Sequence, residues 1–212
     1  MKQKTIFLCS DCGYESPKWY GKCPSCGAWN TLSEYKVKPE TATRGVLPEA
    51  ARERTHTKPR LLDEIDSAAE ERFHSGIGEL DRVLGGGAVH GSFVLVGGEP
   101  GIGKSTLLLQ MCQEMCRSAK VLYVSGEESL RQIKLRASRL GIRAPGLFVL
   151  AETDMDEIIQ ETDLLAPDIL IIDSIQTVYR RDLTAAPGGT TQIKECAMSL
   201  MQYAKRRSVT IF

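Results

Sequence analysis

Short apolar runs alternate with amphipathic segments from about Leu61 onward, a pattern typical of an α/β domain. Five runs have the length and composition of buried strands, at residues 91–97, 121–125, 147–150, 168–174 and 208–212. Between these runs apolar residues recur at helical spacing, as at Leu130, Ile133, Ala137 and Leu140. The pattern therefore predicts a mostly parallel sheet whose strands are connected by helices.

The first 60 residues lack this alternation, and they divide into two parts. Residues 1–30 hold four cysteines in a small module, whereas residues 31–60 contain three prolines, mixed charge and little periodicity. The second part is predicted to be a linker. It has seven basic residues against four acidic ones, so it is either a solvated tether or a weak contact to nucleic acid. The α/β domain is predicted to occupy residues 61–212.

Composition narrows the classes of function. The 212 residues include 27 basic and 27 acidic side chains and carry no net charge, so any nucleic-acid binding must come from a local surface. No stretch approaches the roughly 18 apolar residues that a membrane span needs. The apolar run after Lys4 is also too short for a signal peptide. We therefore expect a cytoplasmic protein without a membrane partner.

A complete phosphate-binding motif follows the first predicted strand of the domain. Its residues are Gly98, Glu99, Pro100, Gly101, Ile102, Gly103, Lys104, Ser105 and Thr106. Glycines let backbone N–H groups turn toward phosphate oxygens, and the apolar helix predicted next adds the positive end of its dipole. Lys104 is expected to reach the β- and γ-phosphates and to serve catalysis there, while the Ser105 hydroxyl ligates Mg²⁺.

Acidic residues at the ends of two predicted strands supply candidates for the remaining chemistry. Asp173 follows four consecutive aliphatic residues, at the strand end where ligands bind in open α/β folds. It is predicted to hold Mg²⁺ or its water shell, and a helix-capping aspartate is the alternative. Glu127 and Glu128 follow the strand at 121–125. We predict Glu127 as the catalytic residue that polarises the attacking water, with Glu128 as the alternative base or a first-turn helix acid.

Four cysteines near the N-terminus repeat the pattern Cys-x-x-Cys-Gly, at Cys9, Cys12, Cys23 and Cys26. Four thiolates at this spacing are typical of a tetrahedral structural zinc site, which leaves no open position for metal catalysis. Disulfides are the alternative, although nothing in the sequence indicates secretion. Zinc would replace the apolar core that so short a module lacks. The other cysteines are expected to pack in the core, namely Cys112, Cys116 and Cys196.

The cysteine module also carries rings that can stack on bases, at Trp19, Tyr20 and Trp29. Lys18 and Lys22 lie beside them in the sequence and can meet phosphates. A protein-contact role, or a purely structural role as the module's own small core, explains the same residues, and the sequence leaves these interpretations open.

A second candidate for DNA contact is the predicted loop at residues 177–191, which follows the Asp173 strand. Arg180 and Arg181 would grip a single-strand backbone there, and Tyr179 would stack on a base. An ordinary surface loop is the alternative.

The run from Phe73 to Gly87 contains Leu-Asp-x-x-Leu-Gly-Gly-Gly and leads into the phosphate loop, and it resembles the RecA-type ATPase core. Together with the four-cysteine finger, it resembles the RadA (Sms) family of bacterial DNA repair proteins over essentially the whole chain. The resemblance implies a RecA-like P-loop core preceded by a small zinc-ribbon-like module. It also places Lys104 and Ser105 in the nucleotide loop, Asp173 in the Mg²⁺ strand and Glu127 at the catalytic glutamate.

The same resemblance implies a function and partners. It implies a DNA-stimulated ATPase that uses ATP, Mg²⁺ and Zn²⁺ and acts as a helicase-like motor on single-stranded DNA or branched recombination intermediates. It further implies a homo-hexamer, a recombinase of the RecA type as partner, and a DNA-contacting loop at 177–191. The family's Lys-Asn-Arg-Phe-Gly motif and Lon-protease-like domain do not occur in these 212 residues. Because the last predicted strand runs to Phe212, we expect either a fragment or a gene truncated short of its full domain, with sensor and arginine-finger residues of the family falling beyond Phe212.

Two other functions remain open at this point. The chain is alternatively an ATP-gated regulatory switch of the same fold, in which nucleotide controls assembly and no strand is moved. A third interpretation makes the zinc module a protein-docking adaptor with the ATPase secondary. Stimulation of turnover by DNA separates the motor from the switch.

Overall fold

The structure, a computed structural model, describes residues 4–11, 13–37, 59, 61–64 and 71–212. These residues form two compact units. The N-terminal unit contains the cysteine module except residues 10–13, which are grouped with residues 71–212 in the C-terminal unit.

The N-terminal unit is built on a three-stranded antiparallel sheet in the order β2-β1-β3. Its strands are β1 (Lys4–Cys9), β2 (Glu15–Ser16) and β3 (Leu32–Val37). The pairing runs from Lys4 opposite Val37 to Cys9 opposite Leu32, so β3 follows β1 along its whole length. The sheet therefore continues past residue 30, where the linker was predicted to begin. Of the rest of that predicted linker, residues 38–58 and 60 lie outside the described residues.

The C-terminal unit begins with a small hairpin formed by β4 (Arg72–Phe73) and β5 (Ala88–Val89). Helix α1 (Gly78–Val83) lies between these strands and carries the first half of the Leu-Asp-x-x-Leu-Gly-Gly-Gly motif. The Asp81 carboxylate accepts hydrogen bonds from the Ser75 backbone N–H at 2.8 Å and from its hydroxyl at 2.7 Å. This motif therefore holds together the hairpin that leads into the phosphate loop.

A four-stranded parallel sheet in the order β7-β6-β8-β9 forms the centre of this unit. Its strands are β6 (Val121–Ser125), β7 (Leu147–Ala151), β8 (Ile169–Asp173) and β9 (Thr210–Ile211). Four helices alternate with the strands, α2 (Lys104–Met115), α3 (Leu130–Arg139), α4 (Met155–Leu165) and α5 (Thr190–Arg207). The predicted α/β class with a mostly parallel sheet is confirmed.

The inner strands β6 and β8 are buried on both faces, whereas the edge strand β7 is only partly buried. Successive side chains of a strand point to opposite sides, so each inner strand contributes to two apolar layers. On β8, Ile169 and Ile171 join an apolar cluster with residues of α2, whereas Leu170 and Ile172 join a second cluster with residues of α4 and α5. The same division applies to β6, whose Tyr123 belongs to the first cluster. Because alternate side chains of β6 and β8 enter different apolar clusters, every position of these strands favours an apolar residue, and the sequence shows nearly continuous apolar runs.

The predicted strand at 91–97 is not a regular strand in the structure. Phe93 makes a single parallel bridge to Ile211, supported by a hydrogen bond from the Val94 N–H to the Ile211 carbonyl oxygen at 2.8 Å. A regular strand needs a row of backbone partners as well as apolar composition, and within the described residues this run has the single bridge at Phe93. Within the described residues, no helix is both long and apolar enough to cross a membrane.

Candidate nucleotide and zinc sites

The phosphate-binding motif forms a tight loop that ends in the first turn of α2. Gly101 and Gly103 have φ angles of 78° and 104°, in the left-handed region that favours glycine. A Cβ at either position would meet no heavy atom within 4 Å, so the loop faces open space. The Lys104 Nζ donates to the carbonyl oxygens of Gly98 at 2.8 Å and Glu99 at 3.0 Å, which places the ammonium group across the loop. Thr106 follows in the same first turn of the helix.

Ser105 and Asp173 meet at the carboxyl end of β8, although 68 residues separate them in the chain. The Ser105 hydroxyl donates to Asp173 Oδ1 at 3.0 Å. The other carboxylate oxygen, Oδ2, accepts a short hydrogen bond from the Tyr123 hydroxyl. The structure thus brings together the two residues predicted to hold Mg²⁺, and it adds a tyrosine that the sequence analysis did not single out.

This donor set fits a magnesium ion. A serine hydroxyl and an aspartate carboxylate are hard oxygen ligands, and Mg²⁺ takes one or two such protein groups together with water and phosphate oxygens. The pair lies beside the N-terminus of α2, where backbone N–H groups and the helix dipole favour phosphate.

The two candidate glutamates after β6 have different surroundings. The Glu127 carboxylate accepts a hydrogen bond from the Ser174 hydroxyl at 3.0 Å and is otherwise exposed beside Asp173. The Glu128 carboxylate forms an ion pair with Arg136 of α3, and both side chains are about three-quarters buried. Glu127 is therefore the carboxylate at the edge of the phosphate site, while Glu128 joins the end of β6 to the next helix.

Gly126 permits the close packing of these segments, and sequence reasoning missed it. A Cβ at Gly126 would lie 2.0 Å from Thr177 Oγ1, so no side chain fits between the end of β6 and the segment after β8. The Gly126 N–H also donates to the Asp173 carbonyl oxygen at 3.1 Å. Its place directly after a fully buried strand was the available signal, because glycine at such a point often marks a close backbone approach.

The predicted DNA-contacting residues lie in the segment between the end of β8 and Thr190, the first residue of α5. The Tyr179 backbone bridges to Asp154, with its N–H donating to the Thr153 carbonyl oxygen at 2.9 Å. Arg180 pairs with Asp182 at 2.7 Å and donates to the Ser199 hydroxyl at 3.1 Å.

Arg181 forms an ion pair with the buried Asp154, which also caps the N-terminus of α4 through the Asp156 N–H at 2.8 Å. The charge of Asp154 raises the pKa of the Arg181 guanidinium, whose side chain is 62% exposed. Both arginines of the loop thus pair with carboxylates of this chain in this structure.

Three of the four predicted zinc ligands come together in the N-terminal unit. The sulfurs of Cys9, Cys23 and Cys26 all lie within 4.8 Å of one another, and Cys12 lies outside the described residues. The Cys23 N–H donates to the Ala28 carbonyl oxygen at 2.8 Å, which closes the turn around the second pair. Gly27 follows that pair with a φ of 74°, as the tight turn requires.

The cysteines of the C-terminal unit have a different character. Burial raises the pKa of the Cys112 thiol, and it raises those of Cys116 and Cys196 to about 11. These groups therefore remain neutral thiols that pack in the core, whereas metal binding requires thiolates.

The aromatic rings of the cysteine module lie on its surface. Trp29 is 71% exposed and Trp19 is 54% exposed, and Tyr20 is exposed as well. The Lys22 Nζ lies 5.6 Å from the centre of the Trp29 ring, within the range of a cation–π contact. The interpretation that these rings form the module's core is wrong, and a surface for stacking or for protein contact remains.

Comparison with known proteins assigns both units. Residues 57–210 match the family model described as AAA domain, and residues 7–34 match the model described as rubredoxin metal binding domain, a zinc-ribbon family. A solved structure with the same core fold is the flagellar accessory protein FlaH from Methanocaldococcus jannaschii. It has a TM-score of 0.53 and 18% identity, and the match covers 67% of this chain and 68% of FlaH.

Curated relatives match over the whole chain. The protein from Bacillus subtilis named DNA repair protein RadA is 50% identical over 212 residues, which is 100% of this chain and 46% of that protein. The protein of the same name from Haemophilus influenzae is 44% identical over 98% of this chain and 45% of its own length. The chain thus spans about half the length of these relatives.

These findings confirm the predicted RecA-like P-loop core with a zinc-ribbon-like module before it, and the cysteine cluster supports zinc as its metal. The predicted resemblance to the bacterial RadA proteins is confirmed as well, and the chain belongs to the AAA domain family.

Proposed function

We propose that this chain is the nucleotide-hydrolysing part of a DNA-dependent ATPase that acts in recombinational DNA repair. The observation that carries the proposal is the 3.0 Å hydrogen bond between Ser105 and Asp173, because it joins the phosphate loop to the acidic end of β8. The relatives named for DNA repair support the biological setting, which we place in the cytoplasm.

The proposed roles follow from the chemistry of the site. Lys104 exchanges its two loop carbonyl partners for the β- and γ-phosphates of ATP and neutralises charge there. Ser105 and Asp173 would hold Mg²⁺, which would supply further neutralisation of the phosphate charge. Catalysis is then mostly positioning and charge stabilisation around an in-line attack by water.

Glu127 is the proposed residue that polarises the attacking water. Its carboxylate lies beside Asp173, and within the described residues its one hydrogen-bond partner is the neutral Ser174 hydroxyl, so an oxygen can be offered to water. Glu128 is the weaker candidate because its carboxylate is paired with Arg136. That ion pair would have to open before the carboxylate could turn to a water molecule.

DNA is the proposed partner, either single-stranded or branched, with a helicase-like motor activity and a homo-hexameric assembly as the family resemblance implies. A RecA-type recombinase is the proposed protein partner. The exposed rings of Trp19, Tyr20 and Trp29 give one surface on which bases can stack. Tyr179, Arg180 and Arg181 give a second, provided that the arginines exchange Asp182 and Asp154 for phosphates.

Those same ion pairs favour a second candidate function, the ATP-gated switch. Arg180 and Arg181 pair with acidic residues of their own chain, so the loop beside the nucleotide site is held in place without DNA. A switch needs only that nucleotide changes this arrangement, and it needs no movement along a strand.

The test is steady-state ATP hydrolysis with and without single-stranded DNA, at low and moderate salt, with Lys104→Ala as the blank. Stimulation that weakens as salt rises supports the DNA-dependent ATPase, because phosphate contacts release counterions. Hydrolysis that is indifferent to DNA at every salt concentration contradicts it and favours the switch.

A further inference from the structure

We propose that Tyr123 is a positioning residue of the magnesium site, which holds the Asp173 carboxylate so that Oδ1 faces Ser105. This inference rests on the proposed function, because it assigns a role toward the Mg²⁺ that Ser105 and Asp173 would bind. It concerns a residue inside the sheet, not one that touches nucleotide or metal.

The position of Tyr123 is fixed by its strand. β6 lies between β7 and β8, and Tyr123 pairs in register with Val149 on one side and Ile171 on the other. The residue is 1% exposed, and its ring packs in the apolar cluster between the sheet and α2. A tyrosine in this setting has no freedom to turn away, so its hydroxyl is a fixed donor at the end of β8.

The two oxygens of Asp173 have separate donors. Ser105 donates to Oδ1 at 3.0 Å, and Tyr123 donates to Oδ2. Ser105 and Asp173 would hold the metal ion, which would supply neutralisation of the phosphate charge. The bond from Tyr123 engages Oδ2, the oxygen that Ser105 does not contact, so it would keep the carboxylate oriented with or without the ion.

The Tyr123 hydroxyl is the donor of its contact with Asp173. Burial raises the pKa of its phenol, and the hydrogen bond to Asp173 raises it further. The sequence signal was a single residue with a polar tip in the otherwise aliphatic part of the run Val121–Ser125.

A second tyrosine provides a matched control. Tyr203 is 4% exposed, and its hydroxyl donates to Asp163 Oδ1 at 2.8 Å, a contact between α5 and α4. Replacing either tyrosine by phenylalanine removes one buried hydroxyl from a hydrogen bond to a carboxylate. Only Tyr123 contacts a residue assigned to the metal.

The experiment compares wild type, Tyr123→Phe and Tyr203→Phe in the full chain by two equilibrium measurements. Electron paramagnetic resonance measures the binding of Mn²⁺, as a probe for Mg²⁺, in the presence of ADP. A fluorescent ADP analogue measures nucleotide binding without metal. We expect Tyr123→Phe to weaken Mn²⁺ binding about tenfold, the low end of the effect of losing an outer-shell partner. Nucleotide binding without metal should stay unchanged, and Tyr203→Phe should leave both values unchanged.

Equal Mn²⁺ affinity in Tyr123→Phe and wild type would overturn the inference, as would an equal loss in Tyr203→Phe. If Tyr123→Phe does not fold, Tyr123→4-aminophenylalanine and Tyr123→4-methylphenylalanine replace it, since both fill the ring site and only the first retains a donor. The amino variant should bind Mn²⁺ more tightly than the methyl variant, and equal affinities would refute the role. Wild type that shows no nucleotide-dependent Mn²⁺ binding would overturn the proposed function together with this inference.

Discussion

The two units of this chain are each stabilised internally in a different way. The N-terminal unit has three short strands, exposed aromatic rings and a cluster of cysteine sulfurs. The C-terminal unit has a parallel sheet with an apolar cluster on each face. A metal site therefore takes the place of a core in the first unit, whereas burial stabilises the second and leaves its strand ends free for chemistry.

The stability of each unit can be measured separately, because each unit has its own spectroscopic signal. Both tryptophans of the chain, Trp19 and Trp29, lie in the N-terminal unit. Among the described residues, the five α-helices lie in the C-terminal unit. Indole N–H resonances therefore report on the first unit and helical circular dichroism on the second.

The largest expected effect is that of removing zinc. A structural zinc ion contributes on the order of 10 kcal/mol to the folding of a small module, so chelation should unfold the N-terminal unit. Both indole resonances should move to random-coil positions, about one zinc should be released per chain, and helical circular dichroism should stay unchanged. Restoring zinc is the control. Indole resonances that survive complete loss of metal would contradict the account.

Next in size is the effect of Glu127→Gln on turnover. Loss of a positioned base lowers rates by about 10²–10⁴-fold, and we expect a decrease of about 10³-fold in kcat for ATP hydrolysis. Glu128→Gln is the matched control. Since Glu128 pairs with Arg136, its loss should lower stability more than turnover. A larger loss of kcat in Glu128→Gln would reverse the assignment.

A substitution in the apolar core should destabilise the C-terminal unit and leave the N-terminal unit unchanged, the reverse of what zinc removal should do. Ile171 is fully buried at the centre of β8, so Ile171→Ala should lower the free energy of unfolding of the C-terminal unit by about 3 kcal/mol. Urea denaturation followed by helical circular dichroism measures the change. The indole resonances in the absence of urea should not move. If they do, the two units do not fold separately.

The smallest effect on stability is expected from Trp29→Ala. The ring is 71% exposed, so its removal should change the unfolding free energy of the N-terminal unit by no more than about 0.5 kcal/mol. If the ring stacks on a base, DNA affinity should fall by about 1–3 kcal/mol. Fluorescence anisotropy of labelled single-stranded DNA measures this. Undiminished affinity would favour a protein-contact role for the surface.

The elements that the sequence predicted well are those with a strong local pattern. The runs that became β6, β7 and β8 are short apolar segments, of which β6 and β8 are buried and β7 is only partly so. The phosphate motif lies where it was expected, before a helix. Strand β3 was missed because Leu32–Val37 has an irregular pattern and pairs with β1, more than twenty residues away. The predicted strand at 91–97 was wrong for the opposite reason. Its apolar composition suits a strand, but its backbone pairs with β9 only through the bridge between Phe93 and Ile211.

Side-chain partnerships in the site were harder to predict than the site itself. Asp173 and Glu127 were selected because strand ends collect ligands in this class of fold. Tyr123 is 50 residues from Asp173 in the sequence, and their contact depends on β6 and β8 being neighbours. The Glu128 ion pair depends on the direction in which α3 leaves the strand. Sequence spacing alone fixes neither the sheet order nor that direction.

The most direct test of the account is whether nucleotide binds at the phosphate loop. The measurement is equilibrium binding of a fluorescent ATP analogue with Mg²⁺ present, to wild type and to Lys104→Ala. We expect saturable binding to wild type that unlabelled ATP displaces. Binding to Lys104→Ala should be weakened by about 100-fold, the loss expected for a charged contact of about 3 kcal/mol. Equal binding to both proteins, or no binding to wild type, would contradict the account.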